Sequence, residues 1–165
     1  MLKLLGSLCV VSGSVLAWCI QRMERRRKRD TLSDFQAAFR KMEEEVRMAR
    51  TPMPVLLRML AADCGPEAAS FFRVTSKAAG EGEILPEVWR RQAEPLPLNK
   101  SDKAAIAGLG SDMQGDEEKV CKAVSHVSRV LERSALEAER KRPEEEKRST
   151  ALWFSAAALL VILLI

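Results

Sequence analysis

The sequence predicts an all-α protein, a membrane-anchored helical bundle with a transmembrane helix at each end. Three observations predict it. Both ends are apolar: Leu2 to Ile20 carries one charge, Lys3, and Ala151 to Ile165 carries none. A cluster of basic residues comes directly after the first apolar stretch. The charged middle shows 3–4 spacing of apolar residues, with no strict alternation and no Asn-Gly or Asp-Gly hairpin.

Residues 1–21 read as the first anchor. As a helix, Leu2–Ile20 is about 28 Å long, close to the ~30 Å hydrocarbon core of a bilayer. A cleaved signal peptide is the competing reading, and Val15-Leu16-Ala17 would pass as its cleavage site. Such a peptide carries its positive charge ahead of its apolar core. Here the charge comes after it, as Arg22, Arg25, Arg26, Arg27, Lys28 and Arg29 in the juxtamembrane segment 22–29. Leu16-Ala17-Trp18-Cys19 is a poor lipoprotein box, because Trp18 is too large for the position before the cysteine. The basic segment holds residues 30–142 in the cytoplasm and offers cations to lipid headgroups. It accounts for the whole +4 excess of the chain. A nucleic-acid-binding protein would carry its positive charge on the folded body instead.

Residues 30–142 are long enough for one helical core. Phe35, Ala38, Phe39, Met42, Val46 and Ala49 form the stripe of the first cytoplasmic helix. Thr51 is expected to cap the next, with Pro52 in its first position and Pro54 two residues later. That helix carries Val55, Leu56, Leu57, Met59 and Leu60 and is apolar around much of its circumference, so it is expected at the centre of the core or covered by a partner. Gly65-Pro66 breaks it. Pro66 opens a helix with Phe71, Phe72, Thr75 and Ala79 inward, ended by Gly80 and Gly82. Pro86 starts a short helix carrying Val88 and Trp89. Glu94-Pro95-Leu96-Pro97-Leu98 is expected to be extended, because alternate prolines exclude helix. Asn99 or Ser101 caps a helix that Gly110 should stop. A long helix is expected from Asp116, with Val120, Val124, Val127, Leu131 and Ala138 as its stripe, and with Glu117 and Glu118 favourable to its N-terminal dipole. Pro143 should kink it, residues 143–150 linking it to a second anchor at 151–165. That anchor gives only about 22 Å of helix, short for a span. Local thinning of the bilayer accommodates this. Packing against other membrane helices is the alternative.

The inventory for chemistry is small. His126 is the only histidine and falls about 130° from the stripe centre of its helix. Cys64 and Cys121 have no base near them in sequence, and no CxxC or Cys/His spacing exists. Gly108-Leu109-Gly110 with Gly115 lacks the strand and the Lys-Ser/Thr of a phosphate loop. No catalytic residue, metal ligand or cofactor is expected. An enzyme with an unfamiliar site would need convergent polar groups in a pocket. A generic membrane-tethered helical adaptor or lipid-binding scaffold would need sustained heptads, which Gly65-Pro66, Gly80, Gly82 and the prolines at 95 and 97 interrupt.

Several short motifs occur in one order. Met1-Leu2-Lys3-Leu4-Leu5-Gly6 opens the chain. Met42-Glu43-Glu44-Glu45-Val46 precedes Thr51-Pro52-Met53-Pro54, and after these come Phe71, Trp89, and Leu98 with Asp102. Leu159-Leu160-Val161-Ile162-Leu163-Leu164-Ile165 closes it. This order resembles the stage III sporulation protein AB family of endospore-forming bacteria, in which an "LExEI…TPLP" signature is the most specific piece. Leu109-Gly110 matches the first of the family's two Leu-Gly steps. Met113-Gln114 replaces the second, and Asp116-Glu117 stands where Ser-Asp is usual. The resemblance implies a mother-cell membrane protein related to the platform protein of type II secretion and type IV pilus machines. Its partners would be the other membrane proteins of a sporulation channel complex, a cytoplasmic ATPase of the same operon and the bilayer, with no nucleic acid. The expected docking surface is the polar face around Glu43, Glu44 and Arg47, with the connection at Gly110, Asp116 and Glu117. Thr51, Pro52, Pro54, Leu56 and Trp89 are expected to be structural.

Overall fold

The computed structural model describes residues 2–48, 51–113, 115 and 118–140, without the side chains of residues 2–12 and 14. All regular structure among them is helical: α1 (Leu2–Met48), α2 (Met53–Asp63), α3 (Pro66–Glu81), α4 (Leu85–Ala93), α5 (Lys100–Asp112) and α6 (118–140). The chain forms two compact units. One is Arg27–Ala135, and the other comprises the two ends, Met1–Arg26 and Leu136–Ile165.

The Arg27–Ala135 unit is built around aromatic rings. Phe35 and Phe39 come from α1, Phe71 and Phe72 from α3, and Trp89 from α4; all are buried. Phe71 meets Trp89 edge-on at 4.9 Å and Phe35 at 5.2 Å, and Phe39 meets Phe72 at 6.2 Å. Such T-shaped pairs set ring edges against ring faces and add about 0.5–1.5 kcal/mol each beyond the area buried. The α1 stripe is as its spacing predicts, with Ala38 and Met42 also buried and Val46 packed against the core. Ala49 lies outside the described residues.

α3 packs against both α2 and α4, while α2 is covered on one side only. Ala68, Ala69, Phe71, Phe72, Thr75, Ser76 and Ala78 of α3 are all buried. Phe71 and Phe72 both meet Trp89 of α4 and Phe35 of α1. Thr75 satisfies its hydroxyl within the helix, donating to the Phe71 carbonyl at 2.8 Å. On α2, Leu56, Leu57 and Leu60 are buried, but Val55 and Met59 are exposed. Apolar composition alone does not fix which side is covered.

Local chemistry corrects four further expectations. Thr51 does not cap α2, because its hydroxyl donates to Glu45 Oε2 at 3.1 Å. Pro52 is the cap residue, its carbonyl accepting from Val55 and Leu56, and Pro54 sits in the first turn, where no amide donor is needed. Glu94–Leu98 is folded into turns rather than extended; the Leu98 amide donates to the Leu96 carbonyl at 2.8 Å, and both leucines are buried. Gly110 does not stop α5, which runs on to Asp112. It lies within the helix against Trp89, where a Cβ would stand 2.7 Å from the indole Cβ. Ala138 is exposed, and the inward side of α6 is Val120, Val124, Val127 and Leu131. Gly82, at φ +76°, closes α3 as expected.

Two contacts fix the direction of α6. Ser125 donates to Glu43 at 2.7 Å, and Arg47 reaches the Cys121 sulfur at 3.8 Å. As α1 numbers rise, α6 numbers fall, so the helices are antiparallel. At the other end of the unit, Lys28 donates to Asn99 Oδ1 and Ser134 donates to Asp102 Oδ1 at 2.5 Å. Asn99 and Asp102 share the first turn of α5. The start and the finish of this unit therefore lie at one end of it.

Among the described residues, no helix is long and apolar enough to cross a membrane. Much of the expected first anchor falls on residues whose side chains are not described. The linker at 143–150 and the anchor at 151–165 lie outside the described residues.

Candidate docking surface

Glu43 and Arg47 form a polar seam between α1 and α6. Glu43 Oε1 accepts from Arg47 Nη2 at 3.1 Å and from Ser125 Oγ at 2.7 Å. Arg47 is 64% exposed while its guanidinium bridges Glu43 and Cys121. Their spacing, i and i+4, supports the pair on one helix. Glu44 points to solvent. Gly110 is buried against Trp89 and drops out of any surface. Asp116 and Glu117 lie outside the described residues.

The basic segment divides by environment. Arg22 stacks over the Trp18 ring at 5.1 Å, and Arg25, Arg26 and Arg29 are exposed. Arg27 and Lys28 contact the bundle. Arg27 Nε donates to Glu67 at 2.7 Å, in the first turn of α3. Lys28 donates to Asn99, the cap residue of α5.

One cleft brings polar groups together. Its 180 Å³ lies between α1 and the α2–α3 turn, lined by Asp34, Ala38, Lys41, Leu60, Asp63 and Cys64. That is below the ~300–1,000 Å³ of ordinary ligand pockets. Its groups already serve one another. Asp34 Oδ2 accepts the Gly65 amide at 3.0 Å, and Lys41 pairs with Asp63. Burial pushes the Cys64 thiol up to about 11, helped by the charges of Asp34 and Asp63. At neutral pH it is a protonated donor to the Asp34 carbonyl, and a thiol is a nucleophile only as thiolate. His126 is exposed on α6. Among the described residues, no group of three or more His, Cys, Asp or Glu could hold a metal ion.

Residue spacing does not single out Asp34 or Ser134. Asp34 pins the α2–α3 turn onto α1 through a backbone amide, a contact with no signature in the sequence. Asp102 stands out in the sequence only through the family motif. It is fully buried, Oδ1 accepting from Ser134 while Oδ2 has no partner among the described residues. An acidic residue three places after Asn99, in a helix's first turn, is the readable signal. Trp89, expected to be structural, donates through Nε1 to the Ile106 carbonyl at 2.6 Å and is fully buried.

No curated protein is similar enough to the chain to count as a match. A solved structure of stage III sporulation protein AB superimposes with a TM-score of 0.65 at 18% identity, covering 72% of this chain and 98% of that one. At that identity the likeness shows the fold. The family model described as stage III sporulation protein AB matches residues 3–165. With nearly its whole length matched, the chain belongs to the stage III sporulation protein AB family.

Proposed function

We propose that this sporulation protein is a non-catalytic, two-pass component of a secretion-like channel between mother cell and forespore. It sits in the mother-cell membrane and holds its helical bundle in the cytoplasm as a platform for an ATPase. The observation that carries the reading is the antiparallel pairing of α1 with α6, which brings the start and finish of Arg27–Ala135 to one end. A domain tied to one membrane at both termini needs that geometry. Val15, Leu16 and Ile20 present exposed apolar side chains on α1, and basic residues come next at Arg22–Arg29. This is the order of a lipid-facing helix ending at a cytoplasmic interface. The cleft at Cys64 supplies no nucleophile, which favours binding over chemistry.

Topology tests the reading. In a chain without its native cysteines, Leu2→Cys should label with an impermeant maleimide on intact protoplasts. Lys100→Cys should label only after permeabilisation. Labelling of Lys100→Cys on intact cells, with none at Leu2→Cys, would reverse the topology and remove the cytoplasmic platform.

A further inference from the structure

The seam between α1 and α6 carries more cations than it neutralises. On α6, Lys119, Lys122, Arg129 and Arg133 are exposed, at positions that keep returning to one side of the helix. On α1, Arg40 is exposed two turns before Arg47, on the same side, and Arg47 reaches across to Cys121. The carboxylates nearby are mostly engaged. Glu43 is held by Arg47 and Ser125, and Glu118 pairs with Lys122 at 2.6 Å. Glu44, one turn after Arg40, and Glu132 remain, against Arg40, Lys119, Arg129 and Arg133, which make no ion pair among the described residues. Arg129 is pre-oriented, its Nε donating to the Ser125 carbonyl at 3.2 Å. The residue is exposed, and its two terminal nitrogens, the fork that matches a carboxylate, make no hydrogen bond among the described residues.

Charge alone would suit a bilayer or a nucleic acid as well. Helices that lie on membranes interleave large apolar side chains to insert, and single-stranded nucleic acid is held by aromatic platforms. No large hydrophobic or aromatic residue is exposed on α6 between 118 and 135. We propose that this cationic strip, centred on Arg40, Lys119, Arg129 and Arg133, docks an acidic surface of a protein partner. This rests on the platform reading above and names the chemistry of its partner face.

The test uses the full chain in zwitterionic lipid nanodiscs. The probes are a helical peptide with glutamates at 3–4 spacing and its glutamine counterpart. The glutamate peptide should bind, more weakly as salt rises, and the glutamine peptide should not. Lys119→Glu, Arg129→Glu and Arg133→Glu together should lower affinity at least about tenfold, since each exposed pair contributes little singly. Melting should be unchanged; if the triple reversal does not fold, the corresponding Gln variants should show a smaller loss in the same direction. Equal binding by wild type and variant overturns the proposal. So does a variant that loses binding to phosphatidylglycerol vesicles while keeping the peptide, because the strip is then a lipid surface. Co-purification of the cytoplasmic ATPase separates the two readings. Equal capture by wild type and variant overturns the strip and leaves the platform standing. No capture by either, with the peptide difference intact, overturns the platform and leaves the strip.

Discussion

Trp89 and Arg47 each reach from one helix to another, and the two contacts differ in kind. Trp89 is fully buried, wedged edge-on against Phe71 and lying on the bare backbone of Gly110. Arg47 is 64% exposed and holds Cys121 at 3.8 Å and Glu43 at 3.1 Å. The first contact is set by volume, and close packing leaves it no second arrangement. The second is set by charge in solvent, where an ion pair is worth about 0–1 kcal/mol. Such a pair exchanges one carboxylate for another at little cost. The bundle thus holds its shape at the aromatic side and leaves the ion pairs of the α1–α6 seam free to rearrange.

The comparison breaks most readily in the core. Leu56 is 1% exposed, so Leu56→Asp should lose several kcal/mol, about 3–5, by burying an unpaired charge. A full chain that melts at the wild-type temperature would put Leu56 on the surface and undo the packing account. A narrower test sets two glycines of α5 against each other. At Gly110, a Cβ would stand 2.7 and 2.8 Å from Trp89 Cβ and Cγ, so Gly110→Ala should destabilise by about 1–3 kcal/mol through overpacking. At Gly108 nothing lies within 4 Å, and Gly108→Ala should stabilise by up to about 1 kcal/mol through helix propensity. Thermal unfolding of both variants checks the opposite signs. The smallest effect belongs to the seam: Arg47→Ala should cost no more than about 1 kcal/mol.

Residue order carries the elements well and their neighbours poorly. Phe35, Phe39 and Met42 announce the inward side of α1 by spacing, and Pro66 and Pro86 mark helix starts, because both signals are local. Gly110 misleads for the opposite reason. A glycine near a helix end usually closes it, but here it makes room for an indole twenty-one residues earlier. Val55 and Met59 mislead because composition reports apolar area without saying which neighbour covers it. At the candidate surface, Glu43 and Arg47 are legible as polar positions, while their partners Ser125 and Cys121 become visible only with α6 alongside. The exposed cations of α6 are readable as helical spacing, but charge spacing usually marks a solvated face, and the engaged carboxylates that leave them in excess belong to tertiary structure.

If this chain acts by docking rather than by chemistry, spore formation will separate the two. Cys64, Cys121 and His126 replaced together by alanine remove both thiols of the bundle and the one imidazole. With folding and abundance confirmed, the account predicts normal spore formation from this triple variant. Loss of spores is expected from Lys119→Glu, Arg129→Glu and Arg133→Glu combined. A folded, abundant triple alanine variant that makes no spores, beside a silent charge reversal, would rule out docking at the strip and point to chemistry at these residues.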